Sequence, residues 1–182
     1  MYVEISANDY HVLHPRPVYL IVSRSREGRL NVMPASWVSP VYDDPFLIAI
    51  SVWSGSLTYK YISETGELTV NILSEKHAEL AYKLGTESGR DVDKFKKYGL
   101  KPYPSKTILT PGLEGVLGFV ECVVKDKLPV GESTLFICES KAIHVAKDFY
   151  EKYGWNLSKT SLLLHGAGKS FTVTGRLIRV PK

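Results

Sequence analysis

Hydrophobic and polar positions alternate along this chain in blocks that read as strands. Pro17-Val18-Tyr19-Leu20-Ile21-Val22-Ser23 is β-branched and aromatic and closes on the polar turn Ser25-Arg26-Glu27-Gly28, so the run from Leu30 to Val38 is expected to return as its hairpin partner. Pro45 to Trp53 is almost continuously apolar, the pattern of a strand covered on both faces, which predicts a central strand. After the small, polar Ser54-Gly55-Ser56, the positions Leu57, Tyr61 and Ile62 repeat at helical spacing until Gly66 stops them. Leu68 to Leu73 predicts another strand. Ser74 can cap a helix whose face is Ala78, Ala81 and Leu84, with Gly85 as its end.

From Thr86 to Gly112 the signals are mixed, and a long connection with a turn or two of helix is expected; such loops tend to carry function. Two long strands follow, Gly115 to Lys127 and Ser133 to Ala146, joined by a turn over residues 128–131, and a last strand is expected from Ser170 to Val180. Six or seven strands with two or three short helices, in meander order, define a single mainly β domain over residues 1–182, and a closed or partly closed barrel protects that many edges. A turn centred on Val130 sets Cys122 opposite Cys138 in the ladder, where they serve as buried, reduced, small hydrophobes or form a disulfide.

Composition narrows the class. Of 182 residues 44% are hydrophobic and 23% charged, which excludes disorder, and the net charge of +4 is spread among interspersed signs, which argues against nucleic acid. Two cysteines are too few to staple a secreted scaffold. No apolar run reaches membrane-spanning length and the first residues lack a basic leader, so a cytoplasmic protein is expected.

Three stretches could carry chemistry. Asn31-Val32-Met33-Pro34-Ala35-Ser36-Trp37-Val38 sets a ladder-breaking proline and small polar residues beside a tryptophan, which lets a planar ligand approach the backbone; alone, it reads equally as a bulged edge strand. Ser51 to Thr58 surrounds a helix start with hydroxyls, a ready anion site or an ordinary serine cap. Leu164 to Ser170 has a Gly-Lys-Ser sequence but lacks the first glycine and the following helix of a phosphate-binding loop, leaving a tight turn with His165 and Lys169. His11 and His14 have no companion ligands, so no metal is expected, and no nucleophile elbow is present.

In order and spacing these pieces resemble the flavin reductase-like, FMN-binding split-barrel family, in particular its flavoredoxin and archaeal ferric reductase-like branch. The resemblance rests on His14-Pro15-Arg16-Pro17-Val18, the Asn31–Trp37 stretch, Asp44-Pro45-Phe46, Thr58 to Ile62, Thr65 to Asn71, Asp93-Lys94-Phe95 and Glu121-Cys122-Val123. It implies an antiparallel, Greek-key-like split β-barrel with short flanking helices. It also implies a non-covalent FMN in contact with Met33, with Ala35, Ser36, Trp37 and Val38 along the isoalloxazine edge and Ser51 and Val52 continuing that wall. Ser54, Ser56, Leu57 and Thr58 would hold the ribityl chain and phosphate, and Ser88, Lys94 and His165 would add further contacts.

By the same resemblance the protein is a homodimer with the flavin near its interface. It would be an oxidoreductase passing electrons from NAD(P)H to free flavin, ferric complexes or a partner protein. Where two-component flavin reductases carry Gly-Asp-His, this chain has Gly131-Glu132-Ser133, which keeps open a flavoredoxin-type carrier without its own NAD(P)H site. A different class, a small barrel binding RNA or protein through Trp37 and Trp53, predicts a colourless protein.

Overall fold

The computed structural model describes residues 1–152, 154–178 and 180. Its main sheet has seven antiparallel strands: β1 (Tyr19–Arg24), β2 (Leu30–Ala35), β3 (Val38–Asp43), β4 (Phe46–Trp53), β5 (Glu67–Ile72), β6 (Gly118–Val130) and β7 (Ser133–Val145). Their spatial order is β2-β1-β5-β6-β7-β4-β3. The run expected as one strand from Leu30 to Val38 is therefore two. β2 pairs with β1 at one edge of the sheet, whereas β3 pairs with β4 at the other. Only Ser36 and Trp37 separate these opposite edges in sequence, so the sheet has to curl until its edges approach one another. No ladder joins β2 to β3, and the result is a barrel split along that seam.

The curl also explains β4. It lies one strand in from an edge rather than at the centre, yet Ile48, Ala49, Ile50 and Val52 are buried because they line the barrel interior or the packed wall behind it. Inside, Ile21, Ile50, Leu68, Val70, Cys122, Phe136 and Cys138 form one core. The alternate residues of β1, Leu20 and Val22, point the other way and pack with Val32, Ala81 and Leu84. That period of two is what fixes a helix against the outside of β1 and β2.

Helix α1 (Leu57–Thr65) runs as the spacing predicts, ended by Gly66 at φ +70° with its N–H on Ile62 O. Helix α2 (Ala78–Thr86) follows a 3-10 turn at Glu75–His77 and does not stop at Gly85 but at Glu87, because Gly85 keeps helical geometry beneath Pro34. The long connection contains one short helix, α3 (Lys94–Lys97). Arg16–Pro17, Leu163–His165 and Phe171–Val173 make a small separate sheet. The expected last strand is cut to Phe171–Val173: residues 174–178 have no ladder partner, and Arg179 lies outside the described residues.

The β6–β7 hairpin turns on Gly131 and Glu132 alone, with Gly131 at φ +57°, which shifts the expected register. Cys138 faces Val124 and Cys122 faces Ser140, so the thiols are diagonal neighbours, both free and buried. Burial pushes both thiols up, Cys138 to about 12. On the same sheet, two carboxylates hold the strap at residues 105–110. Glu121, which is 0% exposed, accepts from Lys106 N at 2.6 Å, from Thr107 N at 2.7 Å and from the Thr107 hydroxyl at 2.5 Å. His144 Nε2 lies 2.6 Å from Oε1, the oxygen that also accepts from Lys106 N, and Glu67 accepts from Leu109 N and Thr110 N. Among the described residues no helix is long and apolar enough to cross a membrane.

Candidate functional site

The first turn of α1 emerges from the end of β4. Ser56 is its N-cap, extended at φ −80° and ψ 157°, and its hydroxyl accepts from Tyr59 N at 3.0 Å. The N–H groups of Leu57 and Thr58 belong to the turn that has no intrahelical acceptor, so they are free to meet an anion. Thr58 is buried, and its Oγ1 accepts from Asn31 Nδ2 at 2.9 Å, which leaves the hydroxyl proton for another acceptor.

Facing this turn is the segment leaving α2. Arg90 donates to Gly55 O at 2.8 Å, and Arg29 donates to Gly89 O at 2.8 Å, so two guanidinium groups pin the loop against the helix start. Lys94 is buried and donates to Val32 O at 3.1 Å and to Leu84 O at 2.6 Å; burial holds its amine below the usual lysine range. Between these walls lies a cleft of about 440 Å³, lined by Asn31, Met33, Trp53, Ser56, Leu57, Thr58, Glu87, Ser88, Gly89, Arg90 and Lys94 among others. One of its acceptors, Asn31 Oδ1, is buried without a partner, whereas the Glu87 carboxylate is paired with Lys97 at 2.5 Å and held below its ordinary range by Lys97 and Tyr98.

A second hollow of about 240 Å³, lined by Val18, Ala35, Ser36, Tyr82, His165, Gly168 and Phe171, shares Pro34, Gly85 and Thr86 with the first. The two are therefore one groove running over the Pro34 and Gly85 saddle. At this far end the tight turn at 166–170 closes through Gly166 N on Ser170 O, and His14 Nδ1 contacts Gly166 O. The His14 and His165 rings are 5.5 Å apart.

Of the residues expected from sequence, Met33, Ser56, Leu57, Thr58, Ser88 and Lys94 line one end of the groove, and Ala35, Ser36 and His165 the other. Five do not line it. Trp37 stands exposed at the seam, and its carbonyl accepts from Ser51 N at 3.0 Å, which spends the Ser51 donor on the sheet. Val38 faces an apolar hollow on the open side of the barrel with Tyr19, Pro40 and Phe46. The Val52 side chain is in the core. Ser54 is turned away by the β6–β7 hairpin, its hydroxyl 3.0 Å from that of Thr134 and its N–H on Glu132 O.

Sequence reasoning missed Asn31 as a side chain, and it missed Glu87, Gly89 and Arg90. The signal was present in Thr86-Glu87-Ser88-Gly89-Arg90, a hydroxyl, glycine and arginine cluster directly after a helix, within the connection already marked as functional. Gly89 is needed there: a Cβ on it would sit 2.1 Å from Asn31 Oδ1 and 3.0 Å from Leu57 Cδ2.

The fold is thus a split antiparallel barrel whose seam carries a groove, with helix N–H groups and cations at one end and Ala35, Ser36 and His165 at the other. Residues 11–172 match the flavin reductase like domain, and the chain belongs to that family, which places it among flavin-linked oxidoreductases. It is 31% identical over 166 residues to an uncharacterized protein of Archaeoglobus fulgidus, covering 91% of this chain and 92% of that one. Nitrilotriacetate monooxygenase component B of Bacillus cereus is 25% identical with a TM-score of 0.88 over 99% of each chain. Flavoredoxin of Desulfovibrio vulgaris (Miyazaki F), at 24% identity, superposes with a TM-score of 0.87, covering 98% of this chain and 97% of its own.

Proposed function

We propose that the groove binds FMN non-covalently and that the protein is an FMN-dependent oxidoreductase, oxidising NAD(P)H and reducing free flavin, a ferric complex or a partner protein. The observation that carries this reading is the buried, unpartnered acceptor Asn31 Oδ1, on the side chain that bonds Thr58 at the end of the groove where Arg90 and Lys94 stand. A ribityl chain brings hydroxyl donors, the type of group this amide oxygen lacks. The donor set fits the rest of the group: Leu57 and Thr58 N–H, the Thr58 hydroxyl and Arg90 for the phosphate, Ser36 and His165 for the ring end. Lys94 spends two donors on carbonyls, so its part is chiefly to set the positive field. The flavin supplies one- and two-electron chemistry, and the protein supplies position and electrostatics.

Purified protein should be yellow, or become so on adding FMN; a chain that neither retains nor takes up the flavin would sink the reading. Thr58→Val removes one phosphate donor and leaves Asn31 Nδ2 unpaired, and FMN affinity should fall by about 1 to 3 kcal/mol. Titration showing unchanged affinity would put the phosphate elsewhere.

A second reading, a flavoredoxin-type carrier, is favoured by one observation: Gly131 and Glu132 make the hairpin turn and Ser133 starts β7, so no imidazole stands where related reductases present one. Anaerobic mixing with NADH and with NADPH separates the two, because bleaching by either supports the reductase and bleaching by neither the carrier. The proposal includes a cytoplasmic homodimer. Trp37, Val41 and Tyr42 are exposed along the seam and on the free edge of β3, an apolar surface that a second copy would cover. Sedimentation showing a monomer at all concentrations would remove the dimer.

A further inference from the structure

The other end of the groove carries two cations that the flavin contacts assigned above leave unused. Arg16 faces His165 across the small sheet, and its guanidinium carbon lies 5.9 Å from the centre of the Trp37 indole. Lys169 belongs to the tight turn after His165, and its amine lies 5.7 Å from the centre of the Tyr82 ring, which lines the hollow. Among the described residues no ion pair joins either cation to a carboxylate. The acid bonded into this cluster, Asp9, is spent on His11, accepting from its backbone N–H at 3.1 Å and lying 2.8 Å from its Nδ1. The local field is positive: burial first, and then His165, His11 and Arg16, hold the His14 imidazole below the usual histidine range. The surface beside the cations is aromatic. Trp37 is 47% exposed and meets Tyr10, also exposed, edge-on with ring centres 5.7 Å apart, and Phe171 lines the hollow with its ring 5.3 Å from that of His165.

We propose that this rim is the docking site for a single-ring aromatic carboxylate, its carboxylate drawn by Arg16 and Lys169 and its ring laid on the exposed aromatic surface. A guanidinium resting on an indole is already ordered and keeps its in-plane N–H fork free for a carboxylate. An inorganic anion would answer the charge and leave the aromatic surface uncovered, whereas an uncharged ring would leave both cations without a counterion. The inference deepens the flavin reading and rests on it for its purpose, because that reading puts the ring end of the cofactor at this mouth; what is added is the class of molecule that meets the cofactor there.

The test is calorimetric titration of FMN-loaded protein with benzoate, with its neutral isostere benzamide and with the non-aromatic cyclohexanecarboxylate, in the wild type, Arg16→Gln and Lys169→Gln. Benzoate should bind about tenfold more tightly than either analogue, and each substitution should weaken benzoate by about fivefold to tenfold while leaving benzamide and FMN unchanged. Added salt should weaken benzoate and not benzamide. Benzoate binding no tighter than benzamide, or unaffected by both substitutions, overturns the site, and equal affinity for benzoate and cyclohexanecarboxylate overturns its aromatic character. Failure of FMN to bind overturns the functional reading instead, and benzoate titration of flavin-free protein then decides the rim alone: heat with the wild type that is lost in Arg16→Gln and Lys169→Gln supports it, and no heat with the wild type refutes it.

Discussion

Glu121→Gln should lower the stability of the folded protein by about 3 to 5 kcal/mol, the usual cost of breaking a buried, hydrogen-bonded charge by changing one partner. Burial alone would push the Glu121 carboxyl up. The N–H of Lys106, the hydroxyl and N–H of Thr107 and the ring of His144 override that and bring it down to about 2, from an ordinary 4.5. A carboxylate whose folded pKa is depressed contributes stability that is present above the unfolded value and lost as pH falls through the folded one. The contribution here is about 3 kcal/mol, complete above about pH 5 and disappearing toward pH 2. Urea denaturation at pH 7 and at pH 3 checks this: the wild type should lose stability over that interval and the variant should lose less. Equal pH dependence in both would mean that Glu121 is not ionised in the fold. The strap it holds does not line the groove, so the fraction of Glu121→Gln that folds should still take up FMN.

Gly89→Ala should cripple the groove without unfolding the barrel. The new methyl group would overlap Asn31 Oδ1 at 2.1 Å and press on Leu57, both embedded in the walls of the site. Asn31 has to move, and its 2.9 Å hydrogen bond to Thr58 goes with it. Overpacking of this kind costs about 1 to 3 kcal/mol, and since it falls on the residues that position Thr58, FMN affinity should drop by on the order of one to two powers of ten. Titration of the variant with FMN, alongside its thermal midpoint, is the measurement. Retained affinity with reduced stability would show that the Asn31–Thr58 pair supports the fold and not the ligand.

What could be read from the chain was what is local. Helix α1, with its serine cap and Gly66 stop, follows from spacing and one positive φ, and β1, β5 and the β6–β7 hairpin follow from alternation and turn chemistry. The seam was not legible. Nothing in the period of hydrophobic residues says that the chain crosses from one edge of the sheet to the other at Ser36–Trp37, since the residues of β3 are mostly exposed and resemble a loop. The cysteine register failed for a related reason: moving the turn by one or two residues moves every pairing in a long hairpin. At the groove, the family pattern located the hydroxyl end of α1. Asn31, Glu87 and Arg90 became visible only when tertiary packing brought the end of α2 against β2, because a buried, unpaired amide oxygen has no sequence signature.

The seam has a kinetic side. Ser51 on β4 pairs across from Leu135 on β7, and Leu20 on β1 from Asn71 on β5, so much of the barrel closes through partners far apart along the chain. Chains dominated by such distant pairings fold in milliseconds to seconds. The groove needs residues from β2, α1, the end of α2 and the 165–171 turn, which together span most of the chain. A ligand of this groove cannot serve as a template for the early steps. It can only trap the finished barrel, so its effect on the thermal midpoint should follow mass action alone, rising with ligand concentration while the refolding rate stays constant.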